Sequence, residues 1–323
     1  MKKFLLQIIF LILVPTAIIV GICEWSIRCI PNDYSYKNEW MTNNASFVQI
    51  LNLGSSHGFY GIRPEYFSRP AFNLAFVSQT MKYDDYLYNN YVSHCDSLRY
   101  IILPVSYFTL RYDLESSEEY WRVRNYCIYM GCNYHRGELK YNMEILSKDK
   151  MQYVFPSWFQ KESFVSCDEY GWGTDYSKNN RDSAWYDAGP VAAKRHTKAD
   201  TTYVADNVQR LKAIIQDCQR RNIHVIILTT PTYHTYYDAL EERQLRQMSA
   251  TCACLEKQYS NVTYLNWLKN PHFVEDDFFD ADHLNEYGAQ KLTLMLDCYI
   301  ADTLSKKPTL SPQNNLTFYL VER

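Results

Sequence analysis

The sequence predicts a three-layer α/β/α sandwich with a central, mostly parallel sheet, preceded by one transmembrane helix. Three observations predict it. Apolar residues recur in short, near-continuous runs, the pattern of strands covered on both faces. Amphipathic stretches of helical period separate those runs. An apolar stretch, Phe4–Ile22, opens the chain directly after Lys2 and Lys3.

That opening stretch suits a bilayer, which needs roughly 20 apolar residues. A cleavable signal peptide has a shorter apolar core and a small-residue cleavage site. Val20–Glu24 offers no such site, and Ile22 is too bulky before Cys23 for a lipoprotein box. Residues 1–25 therefore read as a cytoplasmic tip and an uncleaved signal anchor, with the rest of the chain exported; Lys2 and Lys3 favour an N-terminus kept inside. Residues 26–45 are polar, with Pro31 and several Asn, and read as a linker off the membrane.

The α/β domain is expected over residues 46–304. Its strands are expected at Phe47–Leu53, Ala71–Phe76, Tyr100–Val105, Ile223–Thr229 and Val262–Trp267. Ahead of the fourth, Val208, Leu211, Ile214, Ile215 and Cys218 follow helical spacing, and Asn222 can take the left-handed conformation that ends a helix. Ala289, Leu292, Met295, Leu296 and Ile300 share one face of a closing helix over Glu286–Leu304. Residues 108–200 break the alternation and read as an aromatic-rich, partly helical insertion over one end of the sheet. Residues 305–323, with Pro308, Pro312 and paired Asn, read as a loose tail.

Composition excludes some functions. A formal net charge of −3 leaves no basic footprint for nucleic acid. The ten cysteines show neither zinc-ribbon spacing nor a C-x-x-C motif. Cys127/Cys132 and Cys252/Cys254 are close in sequence, but no disulfide connectivity can be deduced. There is no H-E-x-x-H, and neither a metal nor a cofactor is expected. The 29 Tyr, 15 Phe and 7 Trp suit either ordinary packing or a substrate groove.

Chemistry enters at two places. Gly54-Ser55-Ser56 follows the first strand, at the carboxyl edge where open α/β sheets bind ligands. Asp280 stands three residues before His283, on the loop leading into the last helix. A serine hydroxyl is a poor nucleophile until a neighbouring base takes its proton. Histidine suits that task, and a carboxylate fixes its tautomer and stabilises the imidazolium.

With those residues in place, the chain resembles the SGNH/GDSL hydrolase superfamily. "LGSSH", "FNLAFVSQ" and "DADHLNEYGA" look like its blocks I, II and V, over about Phe47 to Leu304 without the insertion. The likeness is greatest to membrane-anchored bacterial members associated with envelope polysaccharides, similar to the acetyltransferases of alginate assembly and the D-alanyl transfer protein of teichoic acids. The resemblance implies a flavodoxin-like fold, Ser56 as nucleophile rather than Ser55, and Asp280 and His283 as its partners. Asp282 is an extra acid without a counterpart. Asn73 and Ala75 stand where the family often has Asn and Gly. Ser78 falls on the block II glycine, so the N–H groups of Ser56 and Ser78 are the expected oxyanion donors.

Block III departs from the pattern. The chain reads "PVSYF" at Pro104–Phe108, without the family's oxyanion asparagine, and Ser106 or Tyr107 is the available hydroxyl. His57 and His234 are further candidates for substrate contact. The resemblance implies an acyl group, most often acetyl, moved to or from an envelope glycan outside the inner membrane, with a membrane-bound acyltransferase as possible partner. A glycan-binding scaffold on a decayed hydrolase fold is the competing expectation, and it looks to Trp172 and Trp185 for binding.

Overall fold

The computed structural model describes residues 2–305, so most of the expected tail lies outside the described residues. Its centre is a five-stranded sheet: β1 Ile50–Asn52, β2 Ala71–Asn73, β3 Tyr100–Pro104, β4 His224–Thr229 and β5 Val262–Asn266. The order is β2-β1-β3-β4-β5, and every pair is parallel. This is the flavodoxin-like doubly wound order. Side chains alternate across it. Leu51, Ile101, Leu103, Val225 and Ile227 enter one core, while Ile50, Ile102, Ile226 and Leu228 enter the other. Two buried faces explain why the strands read as continuous apolar runs.

The principal helices are α1 Lys2–Arg28, α2 Asp33–Asn44, α3 Ser56–Gly61, α4 Met81–Tyr91, α5 Val123–Tyr129, α6 Gly189–His196, α7 Val204–Arg220, α8 Glu242–Gln258 and α9 Glu286–Ser305. The first face is covered by α4, α7 and α8, with Met41 of α2 and Tyr126 of α5 in the same core. Leu292, Leu296 and Ile300 of α9 cover the second. On α7, Leu211, Ile214, Ile215 and Cys218 are buried, and Asn222 beyond it is left-handed at φ +57.

The linker expected over 26–45 is instead mostly helix. Asn32 caps α2 by accepting the N–H groups of Tyr34 and Ser35. Tyr34, Lys37 and Met41 form its buried face. One of those three is a lysine, so no apolar stripe announces the helix in the sequence.

Helix α1 carries a stretch, Gln7–Arg28, long and apolar enough to cross a membrane. Its end is fastened to the insertion. Glu24 accepts the N–H groups of Glu144 at 2.9 Å and Ile145 at 2.8 Å, and Arg28 donates to the Asn142 carbonyl at 2.7 Å. The Trp158 indole donates to Ser26 Oγ at 2.7 Å.

Much of the aromatic surplus is packing. Tyr83 stacks on Tyr126, and Tyr34 on Phe76. Trp172 and Trp185 are core residues too: the Trp172 indole donates to the Tyr60 carbonyl, and Trp185 packs beside Tyr233. All ten cysteines are free thiols.

Candidate active site

The sheet reverses its winding between β1 and β3, and the crevice at that point is where a doubly wound sheet takes its ligand. The chain leaves β1 there through Gly54, at φ +106. A Cβ on Gly54 would lie 3.0 Å from Pro104 Cδ at the end of β3, so the turn needs glycine for conformation and for space. The Gly54 N–H is held at 2.7 Å by the buried Asp84 of α4. Ser56 then opens α3, with its Oγ 2.8 Å from His283 Nε2. Asn73 braces this turn from below: its side-chain amide donates to the Gly58 and Ile62 carbonyls and accepts the Ala75 N–H.

The loop ahead of α9 presents His283. Asp280 Oδ1 accepts the N–H groups of Asp282 at 3.0 Å and His283 at 2.8 Å, folding the loop back on its own carboxylate. Both Asp280 oxygens lie 3.0 Å from His283 Nδ1. A carboxylate only accepts, which keeps a proton on Nδ1; in the neutral ring the Nε2 lone pair then faces Ser56. Asn285 fixes the far end of the loop by capping α9, accepting the N–H groups of Tyr287 and Gly288.

Behind this chain lies a buried second one. A single oxygen of Asp282 is 3.4 Å from His57 Nε2, 3.6 Å from His283 Nδ1 and 3.8 Å from His196 Nδ1. His57 Nδ1 meets Ser106 Oγ at 2.7 Å, and His196 Nδ1 meets the Tyr236 hydroxyl at 2.8 Å. Burial alone would push the Asp282 carboxyl up, but the surrounding imidazoles, His283 foremost, hold it well below the usual range. Burial pushes His57 down and lowers His196 to about 3. Burial also opposes charge on His283, yet Asp280 and then Asp282 outweigh it and raise that ring to about 9.

Among the described residues, His57, Asp282 and His283 are the one group close enough to share a metal ion. The set fits a proton network better than a cation, because His283 Nδ1 is already committed to Asp280.

A cleft of about 930 Å³ opens over Ser56 and His283. Ser78 lines it in a left-handed conformation, at φ +60. Neither the Ser56 nor the Ser78 N–H has a hydrogen-bond partner among the described residues. Phe108, Tyr112 and Tyr176 supply apolar wall. Its lining also includes Lys194, Arg195 and Lys198, none of them ion-paired among the described residues. Glu118 and Glu119 line it as well, and Glu119 is bound to Arg122.

The structure thus brings Ser56, His283, Asp280 and Ser78 together, with His57 and Ser106 directly behind. Ser106 is buried on His57 and does not line the cleft. Tyr107 and His234 are elsewhere. The Tyr107 hydroxyl is taken by Thr197 at 2.9 Å and the Glu241 N–H at 3.2 Å, and His234 is a half-exposed ring 3.9 Å from Asp238. No side-chain amide from the loop after β3 reaches the cleft. Sequence reasoning passed over His196, Tyr176 and the three cations. All come from the insertion, which had no period to place them; the cluster Lys194-Arg195-His196 was the one available signal.

No family model matches the chain, and no curated protein does. Among solved structures it is similar to a candidate acylhydrolase from Bacteroides fragilis, at 10% identity and TM-score 0.39 over 82% of this chain and 95% of that one. It is also similar to a GDSL-like lipase from Bacteroides thetaiotaomicron, at 10% identity and TM-score 0.40 over 85% of this chain and 98% of that one. At such scores the likeness carries neither family nor activity to this chain.

Proposed function

We propose that this chain is a serine-dependent acyl-ester hydrolase or transferase of SGNH/GDSL type, held at a bacterial inner membrane with its catalytic domain outside. The observation that carries the reading is the continuous Ser56–His283–Asp280 chain, at 2.8 Å and 3.0 Å, beside two N–H groups without a partner among the described residues. Ser56 Oγ attacks the ester carbonyl as His283 Nε2 takes its proton. The N–H groups of Ser56 and Ser78 receive the oxyanion. Collapse expels the alcohol, which takes the proton from His283, and leaves an acyl-serine. Water or a sugar hydroxyl, deprotonated by the same ring, then attacks to release acid or a new ester.

The acyl group is taken to be acetyl and the acceptor an envelope or exported polysaccharide, with a membrane-bound acyltransferase as the donor's source. Lys194, Arg195 and Lys198, without ion-pair partners among the described residues, favour an acceptor that carries negative charge. The competing scaffold reading loses its binding residues, since Trp172 and Trp185 are both buried.

The test is labelling of the full chain in detergent with a fluorophosphonate. Modification should map to Ser56 and vanish in Ser56→Ala. In His283→Ala the rate should fall by about 10³-fold or more, as for loss of a triad base. A well-folded protein that takes no label, or takes it equally in His283→Ala, would sink the reading.

A further inference from the structure

Helix α1 does not stand apart from the domain. Its last turns pack against residues 144–146 and 156–159 of the insertion, and hydrogen bonds from Glu24, Ser26 and Arg28 hold that contact. The same stretch of insertion exposes large apolar side chains. Phe159 is 85% exposed, Phe155 67% and Trp158 47%, with Leu146 and Met151 close in sequence and also exposed. Trp25, in the last two turns of α1, is exposed as well. Single exposed apolar residues are ordinary, but a cluster this dense in one short segment calls for an occupant.

Its position identifies that occupant. The cluster adjoins the end of the apolar stretch Gln7–Arg28, the level at which a spanning helix would leave hydrocarbon for headgroups. Trp and other amphipathic aromatics concentrate there, with the ring in the acyl boundary and any N–H still satisfied. Trp158 fits that description, since its indole N–H is bound to Ser26 Oγ.

We propose that residues 144–160 are a membrane seat: Phe155, Trp158 and Phe159 bed into the interface of the bilayer that α1 crosses, and the domain rests on the lipid surface. This rests on reading α1 as an anchor. Interfacial segments of this kind sink roughly 5–10 Å into the headgroup and acyl boundary. The seat and α1 then form one continuous lipid-facing surface.

The full chain in phosphatidylcholine/phosphatidylglycerol nanodiscs containing a lipid with an acyl-chain diazirine tests this by photolabelling and peptide mapping. Adducts are expected on α1 and on residues 144–160, and not on Val191, which is as exposed as Phe155 but lies on the cleft wall. In Phe155→Ser/Phe159→Ser, adducts on 144–160 should fall several-fold while those on α1 persist. Adducts on α1 alone would overturn the seat and leave the anchor standing. Adducts on neither would overturn both. Crosslinks from 144–160 to a second copy of the chain, in place of lipid, would assign the patch to a dimer instead.

Discussion

Ser78 keeps a side chain where the backbone turns left-handed, at φ +60, a conformation costing a non-glycine residue about 1–2 kcal/mol. The cost is understandable if its N–H must face the cleft. Ser78→Gly should then gain about 1 kcal/mol in thermal or denaturant unfolding, and Ser56 labelling should stay within a few-fold. A large loss of labelling would mean that the hydroxyl, not the backbone, matters. Asp282 sets a second expectation. Asp280 and Asp282 together raise His283 to about 9 against burial, so its base form is scarce at neutral pH. The labelling rate should climb with pH up to about 9. Asp282→Asn removes one of the two anions and should move that rise to lower pH by about 1 to 3 pH units; an unmoved profile would show Asp282 to be structural only. Stability follows the opposite slope. A raised histidine pKa contributes fully below its ordinary 6.5 and is lost as pH rises through about 9. The gap in thermal midpoint between wild type and His283→Ala should narrow across that window.

Among elements, α2 is the one whose contribution the sequence hid. Lys37 is fully buried between the rings of Phe59 and Phe76, 4.4 Å and 4.5 Å from their centres, and donates to the Ala75 carbonyl at 2.6 Å. Burial lowers this lysine to about 8. It ties α2 to the loop that carries Ser78. Lys37→Met should fill the space but leave that carbonyl unpaired, costing roughly 1–3 kcal/mol and slowing Ser56 labelling through a looser loop. Equal stability and labelling would show the tie to be idle. The strands were legible because both faces are buried, which leaves apolar runs that period and turn residues delimit. A helix whose inner face is Tyr34, Lys37 and Met41 leaves no such trace, since the lysine is buried for a backbone carbonyl and not for its own apolarity.

At the scale of the whole molecule, Ser56, Asp280 and His283 were legible because each sits at the end of an element whose type the sequence fixes locally. Their meeting 227 residues apart in sequence follows from the parallel winding, which delivers β1 and the loop before α9 to the same edge. His196, Lys194, Arg195 and Lys198 were not legible. They reach the cleft through the packing of an aperiodic insertion, in which α6 lies so close to Thr235 that a Cβ on Gly189 would stand 2.5 Å from its backbone. The fastening of α1 to that same insertion has a mechanical consequence. A domain on a slack tether sweeps a hemisphere and meets acceptors at many distances from the lipid. With α1 as the proposed anchor, this domain would stand on a short, braced post that holds its cleft at one height and one bearing. On the proposed function, inserting a flexible Gly-Ser stretch after Cys29 should leave labelling by a small soluble fluorophosphonate unchanged, yet reduce modification of a glycan fixed at the membrane; glycan modification equal to that of the uninterrupted chain would show the brace to be idle. The reach of the cleft would then be a folded length, set by the same hydrogen bonds that join Glu24 and Arg28 to the insertion.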